Sequence, residues 1–260
     1  MTFVTLGGRV STRKIGCMPK EFAFRHRAHE VSRIEASSDI VFGFALTLIV
    51  VSLEVPKTYE ELMAAMRGFP AFALCFAILL WIWHAHYTFY RRYAIHDEFT
   101  LVINSFLLFV VLFYVYPLKF IFSGMFEVRQ YSAADARVMF TIYGLGFAAI
   151  FGLYTALYHH AFRKRDELEL NAVEEHDTIT HVLMFGANVA IGFLSVLIAN
   201  VVPPRFVGLA GFTYFLIGVA AGTIGTIRGS QRRAVQERML SALAPAQSTA
   251  ATSTPTIPAT

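Results

Sequence analysis

The sequence has little charge, few cysteines and almost no acid inside its apolar segments. Only 15% of its 260 residues are charged, whereas 56% are hydrophobic. The two cysteines, Cys17 and Cys75, lie in a basic N-terminal segment and in an apolar segment, so they predict neither a disulfide framework nor a metal site. The core of one soluble domain needs far fewer apolar residues than this chain has. Here the apolar residues also occur in long blocks. The sequence therefore predicts a polytopic membrane protein.

The sequence argues against an enzyme and against a nucleic-acid-binding protein. An intramembrane hydrolase needs paired acids, a serine with a base, or a metal motif within the bilayer. Apart from Asp39, the apolar blocks are nearly free of acids. The net charge of +4 comes from basic residues that lie between the blocks rather than in a stripe with interleaved aromatics. We predict no enzyme activity, no cofactor and no nucleic-acid partner.

Six blocks are long enough, or nearly so, to cross a bilayer, which takes ~20 mainly apolar residues. They span residues 37–55, 69–90, 99–122, 136–158, 179–201 and 206–227. The sequence therefore predicts an all-α protein with six transmembrane helices, in a membrane domain over residues 33–228. Residues 1–32 are expected to be a disordered basic tail. Residues 229–260 are expected to form a short helix over 230–244 and then a disordered tail rich in Ala, Ser, Thr and Pro.

The distribution of lysine and arginine predicts the orientation. Most of the 22 basic residues fall in the N-terminal segment, in the second and fourth loops and after the sixth block. An even number of spans places all of these on the same side. Cytoplasmic loops carry an excess of Lys and Arg, so both termini are predicted to be cytoplasmic.

The first block carries an acid, Asp39, near its start and then no charge through Leu53. Ionisable groups within membrane spans are costly and usually functional. At 100° per residue, Asp39 lies roughly 140° from Phe44 around an ideal helix. The face centred on Phe44 contains Ser37, Ile40, Thr47, Leu48 and Val51.

Two interpretations of Asp39 remain open. It is either an acid stabilised by the macrodipole at a helix N-terminus, or part of a buried network that ties the first helix to the second and third. In the second case Asp39 points back into its own bundle and needs a partner, for which His84 and Asn104 are the intramembrane candidates. The remaining polar aromatic residues of the second span are predicted to form a belt at the membrane interface, namely Trp83, His86, Tyr87 and Tyr90.

Four elements resemble the transmembrane protein 175 family, whose members are potassium channels. The segment Arg33-x-x-x-Ser37-Ser38-Asp39 is similar to the R-x-x-x-F-S-D element that opens the first helix of the family, with Ser37 in place of the aromatic residue. Three further elements follow in the same order, up to about residue 120: Glu54-Val55-Pro56, Trp81-x-Trp83-His84-x-His86-x-x-Phe89, and Asn104 with the apolar run to Tyr116-Pro117.

The resemblance implies a homotetrameric potassium channel that also leaks other monovalent cations, in the inner membrane of a prokaryote and in contact with membrane lipids. The first helix would line a central pore, with a constriction at Phe44, where relatives carry Ile or Leu, and a pore-facing hydroxyl at Thr47. A Thr-Val-Gly-Tyr-Gly carbonyl filter is absent from the sequence. The predicted pore residues are Ile40, Phe44, Thr47, Leu48 and Val51, and the predicted supporting network is Arg33, Ser38, Asp39, His84 and Asn104.

Two alternatives stay open at this point. Asp177 and His181 have the i, i+4 spacing of metal ligands on one helix face. This spacing favours a six-span divalent-cation exporter of the cation diffusion facilitator type, although the second span offers no matching acid. Alternatively, the changes at Ser37 and Phe44 indicate a diverged relative that keeps the fold without conducting.

Overall fold

The computed structural model describes residues 24–28, 30–51, 56–126 and 132–251. Regular structure within these ranges is entirely helical, with two 3₁₀ turns, Pro204–Phe206 and Thr213–Phe215, between the fifth helix and the last. The helices are α1 Arg33–Val51, α2 Tyr59–Tyr93, α3 Glu98–Phe126, α4 Ala133–Arg163, α5 Ala172–Val201, α6 Leu209–Phe212 and α7 Leu216–Ala251. Six segments are long and apolar enough to cross a membrane: α1 to α5, and the segment Pro204–Ser241. The predicted all-α, six-span fold is confirmed.

Side-chain caps fix where several helices begin. Ser32 and Glu35 form a capping box at the start of α1, because the Ser32 hydroxyl accepts from the Glu35 amide (3.2 Å) and the Glu35 carboxylate accepts from the Ser32 amide (2.9 Å). Thr58 and Ser132 cap α2 and α4, and Asn171 opens α5 with a second capping box. These caps satisfy amides that a helix N-terminus leaves without partners.

The helices pack in two connected groups. α1 contacts both α2 and α3, α3 contacts α4, and α5 packs most extensively against α4 and also against α7. At the α4–α5 crossing, a Cβ atom on Gly192 would lie 2.9 Å from the Gly144 carbonyl oxygen and 3.0 Å from the Ala148 Cβ atom. Small residues allow close approach of transmembrane helices, and these residues bring the two backbones together.

Part of the N-terminal segment is ordered, contrary to the expectation for residues 1–32. Phe24 packs edge-on against Tyr93, with ring centroids 5.5 Å apart, and the Arg27 amide donates to the Arg91 carbonyl (3.2 Å). Arg27 also pairs with the buried carboxylate of Glu174 (2.9 Å). A buried carboxylate without a cation would be strongly destabilising, so Glu174 gives this segment a fixed docking point. Residues 1–23 lie outside the described ranges.

The C-terminal boundary also differs from the expectation. α7 continues as one helix through residue 229 and past 244 to Ala251. Its middle is fastened to α5, since Arg228 donates to the Thr180 hydroxyl (3.0 Å) and Arg232 donates to the Asp177 carboxylate (2.8 Å). The predicted tail over residues 252–260 falls outside the described ranges.

Basic residues from several segments meet at one end of the bundle, here called the basic end. It comprises residues 24–28, the last turns of α2 and α4, and the first turns of α3 and α5. Asp97 lies there and accepts from His160 Nε2 (2.6 Å) and Lys164 Nζ (3.1 Å). Burial alone would raise the pKa of Asp97, but hydrogen bonds from Thr100, His160 and Lys164 outweigh it and hold the pKa well below its ordinary value.

Candidate pore helix and its supporting network

Helix α1 has one face packed in its own chain and one face left uncovered. Phe42 and Ile49 are 2% and 1% exposed, whereas Phe44 is 62% exposed. The uncovered face carries most of the residues predicted to line a pore: Ile40, Phe44, Thr47 and Val51 are exposed, together with Ser37, and Leu48 is half-buried. An apolar face of this kind needs a partner from outside the chain, which is either lipid or further copies of α1.

Thr47 offers a polar atom on the uncovered face. Its hydroxyl donates to the Phe44 carbonyl oxygen one turn earlier (2.8 Å). A hydroxyl that donates in this way keeps its oxygen lone pairs as acceptors. A ring of Thr47 side chains would therefore present acceptor oxygens to a cation.

A buried chain of hydrogen bonds joins α1, α2 and α3. His86 Nε2 donates to Asn104 Oδ1 (2.8 Å), Asn104 Nδ2 donates to Ser38 Oγ (3.0 Å), and Ser38 Oγ donates to the Ile34 carbonyl (2.7 Å). The side chains of Ser38, Asn104 and His86 are at most 2% exposed. Each donor in the chain has an acceptor, so the network fixes the rotation of α1 against α2 and α3 without leaving a buried polar atom unpaired.

Asp39 is bound differently from the prediction. Its carboxylate accepts from Trp83 Nε1 (2.8 Å), and the residue stays exposed rather than turning into the bundle. The two predicted partners are wrong, because Asn104 is engaged by Ser38 and His86, whereas His84 is exposed on another face of α2. Arg33 is exposed at the first residue of α1 and takes part in none of these bonds.

The predicted interface belt is corrected in part. His86 and Tyr90 are 1% and 0% exposed, so both belong to the interior rather than to the membrane interface. Their rings are in contact, with centroids 4.7 Å apart. Tyr87 is 44% exposed, as a belt residue should be.

Known proteins and solved structures resemble this chain over most of its length. The family described as endosomal/lysosomal potassium channel TMEM175 matches residues 33–114, which cover α1, α2 and the network residues of α3. A potassium channel of Marivirga tractuosa is 35% identical over 228 residues, which are 81% of this chain and 92% of that protein. This chain belongs to the TMEM175 family. The resemblance stated from its motifs is confirmed.

Further TMEM175 proteins share the sequence more weakly and share the fold. The potassium channel Cha6605_3372 of Chamaesiphon minutus is 29% identical over 182 residues, 64% of this chain and 86% of that protein. The crystal structure of a variant of the potassium channel MtTMEM175, in complex with a nanobody–MBP fusion protein, has a TM-score of 0.69 and 34% identity, with 80% of this chain and 97% of that chain covered. A lysosomal potassium-selective channel TMEM175 homologue from Chamaesiphon minutus has the same fold, at a TM-score of 0.53 and 24% identity over 74% of this chain and 96% of that chain. TMEM175 proteins are potassium channels, which are not enzymes.

His86 and Trp83 are the network residues that sequence reasoning missed. His86 lies in the middle of the buried stripe of α2, in which residues recur every three or four positions: Cys75, Leu79, Ile82, His86, Phe89 and Tyr93. That spacing is the signal for a buried helix face. His86 fits it and His84 does not. No comparable pattern points to Trp83, because its bond to Asp39 depends on how α1 and α2 are rotated against each other.

The metal-like pair on α5 is engaged in other contacts. The Asp177 carboxylate accepts from Arg232 Nε (2.8 Å), and His181 Nδ1 donates to the Asp177 carbonyl (2.8 Å). The second ring nitrogen of His181 faces Arg92 Nη1 (3.2 Å). Over the part of the chain that the structure describes, no group of three metal-ligating side chains occurs. The pair therefore links α5 to α7 and α2, and it gives no geometric support to the exporter alternative.

Replacing Asn104 with alanine should destabilise the protein more than the loss of one polar side chain usually does. The substitution leaves the buried His86 N–H group without its acceptor, at about 1–3 kcal/mol, and it removes the donor to Ser38, whose hydroxyl still donates to the Ile34 carbonyl. We expect a lower melting temperature for the detergent-solubilised protein. The control is Ser105→Ala on the next, exposed residue, whose hydroxyl bonds only to the Leu101 carbonyl of its own helix. Equal melting of the two variants would show that the network does not stabilise the fold.

Proposed function

We propose that this chain is one subunit of a homotetrameric potassium channel, in which the uncovered face of α1 from each copy lines a central pore. Phe44 forms a dry apolar constriction, and Thr47, about one turn further along the helix, supplies a ring of acceptor oxygens. The channel prefers potassium and leaks other monovalent cations, because its selectivity does not come from a carbonyl cage. The observation that carries this proposal is the division of α1 into a packed Phe42 face and an exposed Phe44 face.

The geometry of a single pore helix supports a closed oligomer, and the resemblance to the TMEM175 family implies four copies. One α1 helix cannot enclose a pathway, and its uncovered apolar face is satisfied when copies meet around a closed axis. The hydrogen-bonded chain from Ser38 to His86 holds that face in a fixed direction relative to the rest of the subunit. A constriction of fixed radius requires such rigidity. If α1 could rotate about its axis, residues next to Phe44 would face the pore in its place.

The basic end of the bundle supports the proposed orientation. Cytoplasmic segments of membrane proteins are enriched in Lys and Arg. We therefore propose that the basic end, with both termini, faces the cytoplasm of a prokaryotic cell. The N-terminal turn of α1 then lies on the cytoplasmic side of the pore, and Phe44 lies deeper in the membrane.

Two measurements on the purified chain test the proposal. Native mass measurement should give four copies of the 29.1 kDa chain, and liposomes with a potassium gradient should show a small potassium flux. Thr47→Val removes a hydroxyl at nearly constant volume, so it should change the potassium-to-sodium flux ratio without changing the mass of the assembly. A stable monomer would contradict the channel. A tetramer that stays closed even after Phe44 is shortened would be a non-conducting relative.

A further inference from the structure

A cavity of about 600 Å³ opens between α2 and α7 near the basic end. α2 and α7 form its walls, while α4 and α5 contribute the residues between them, Tyr158, His181 and Phe185 among others. The extensive contacts of α7 are with α5 rather than with α2, so the two walls stand apart along this crevice. Trp81 and Tyr87 line the cavity and are 41% and 44% exposed. The crevice therefore opens on the outer surface of the bundle, at the depth of a membrane leaflet.

The walls change from basic to mainly apolar along the membrane normal, with His84, Thr88 and Asn188 as the polar exceptions. On α2, Arg91 and Arg92 lie at the basic end, and Trp81 lies ten residues deeper, about 15 Å away at 1.5 Å per residue. On α7, the lining residues from Ile224 to the deeper Ile217 are apolar or alanine. This gradient matches an amphiphile with a charged head at the membrane surface and a hydrocarbon chain pointing into the bilayer.

The charge at the shallow end is positive, and the two arginines have no carboxylate partner among the described residues. Arg92 lies over the Phe24 ring (4.7 Å) and Arg91 over the Tyr87 ring (5.9 Å). No aspartate or glutamate lines the cavity, and none of the ion pairs found in the described part of the chain includes Arg91 or Arg92. Arg91 donates to the Ala28 carbonyl (3.1 Å), but its Nε atom is buried without a partner within the described ranges. Arg92 donates to His181, whose other nitrogen is a donor, so this contact does not neutralise the guanidinium.

A buried aromatic pair forms the floor of the crevice beside the arginines. Tyr158 lines the cavity and is fully buried. Its ring stacks on His181 at 4.9 Å, and His181 accepts from Arg92. The pair therefore holds the Arg92 guanidinium at the cavity wall.

We propose that this crevice binds an anionic phospholipid from the surrounding leaflet. Its phosphate lies against Arg91 and Arg92, which suit bidentate phosphate binding, and an acyl chain follows the apolar walls towards Trp81 and Ile217. Basic pockets between transmembrane helices are a known mode of anionic headgroup recognition. A soluble anion would use the arginines but not the deep apolar part, and a second copy of the chain would have to place an acid beside them. The lipid uses both parts of the crevice.

The test counts the lipid retained by the full-length chain. The protein is reconstituted in nanodiscs of equimolar phosphatidylglycerol and phosphatidylcholine, extracted in mild detergent and analysed by native mass spectrometry. Wild type should retain at least about five times more phosphatidylglycerol than phosphatidylcholine, a difference of about 1 kcal/mol. The double substitution Arg91→Gln with Arg92→Gln should abolish that preference. The double substitution Arg163→Gln with Arg233→Gln, which removes the same two charges from exposed sites outside the cavity, should leave it unchanged.

Two further arms keep the test decisive if the Arg91 and Arg92 double variant fails to fold. Ala220→Trp fills the apolar part of the crevice without changing charge, so it should reduce the retained lipid. Inorganic phosphate added to wild type should not displace the lipid, because phosphate lacks the acyl chain. Equal retention of the two lipids by wild type, unchanged retention in Ala220→Trp, or displacement by phosphate would each overturn the proposal. Unchanged retention in Ala220→Trp is the result expected if a neighbouring copy covers the crevice.

Discussion

Phe44→Ala is expected to raise potassium flux through reconstituted channels by roughly tenfold, which corresponds to a barrier lower by about 1.4 kcal/mol. Several phenyl rings that converge on one axis exclude water, and an ion that enters a dry neck loses hydration without receiving replacement ligands. Alanine widens the neck and readmits water. The same change should bring the potassium and sodium fluxes closer together, since a hydrated ion is discriminated less well. The measurement is the flux of each cation into liposomes, normalised to the amount of assembled channel.

Two matched variants separate the pore face from general packing effects. Phe42→Ala removes the same ring from the packed face of α1, where it lies 5.5 Å from the His86 ring, and it should lower stability by about 3–5 kcal/mol without increasing flux per channel. Phe109→Ala removes an equally exposed ring from α3, at 68% exposure, and should change neither property strongly. If Phe42→Ala opens the pathway and Phe44→Ala does not, the assigned pore face is wrong.

Gly192→Leu is expected to abolish stable packing of α5 against α4. A Cβ atom at Gly192 would already lie 2.9 Å from the Gly144 carbonyl oxygen and 3.2 Å from the Ala148 amide nitrogen, both of which are backbone atoms. Backbone cannot move aside as a flexible side chain can, so α4 and α5 must separate. Overpacking typically costs about 1–3 kcal/mol, and we expect a leucine between two backbones to exceed the upper end of that range.

Gly186→Leu is the control for this prediction. Gly186 lies on the same helix, and a Cβ atom there would meet no other atom within 4 Å. It should therefore preserve the yield of folded protein, measured by size-exclusion chromatography after mild heating, while Gly192→Ala falls between the two leucine variants. Equal recovery of Gly192→Leu and Gly186→Leu would contradict the close crossing of α4 and α5.

The membrane-crossing part of the fold follows from hydropathy, but the helix ends do not. The second apolar block begins at residue 69, whereas α2 starts at Tyr59 because Thr58 caps it and the helix continues through Pro70. Hydropathy predicts which part of a helix lies in lipid, whereas capping residues predict where the helix begins. The Ser32 to Glu35 spacing is a capping signature that the sequence does contain.

The supporting network could be predicted from the sequence only in part. Periodicity along α1 is a local property, so it separates the exposed Phe44 side from the packed Phe42 side. The partner of Asp39 depends on the rotation of α2 relative to α1, which no local pattern contains, and Trp83 takes the place predicted for His84 or Asn104. The docked N-terminal segment was also beyond prediction, because its partner Glu174 lies 147 residues from Arg27.

Thiol modification along α1 tests the central proposal most directly. Cys17→Ser and Cys75→Ala provide a background without native thiols, and single cysteines are then introduced by Thr47→Cys and, on the packed face, by Ile49→Cys. A cationic methanethiosulfonate reagent is added to liposomes during potassium flux. We expect flux through the Thr47→Cys channel to fall sharply and flux through the Ile49→Cys channel to continue. Continued flux through Thr47→Cys together with block of Ile49→Cys would contradict a pore lined by the Phe44 face of α1.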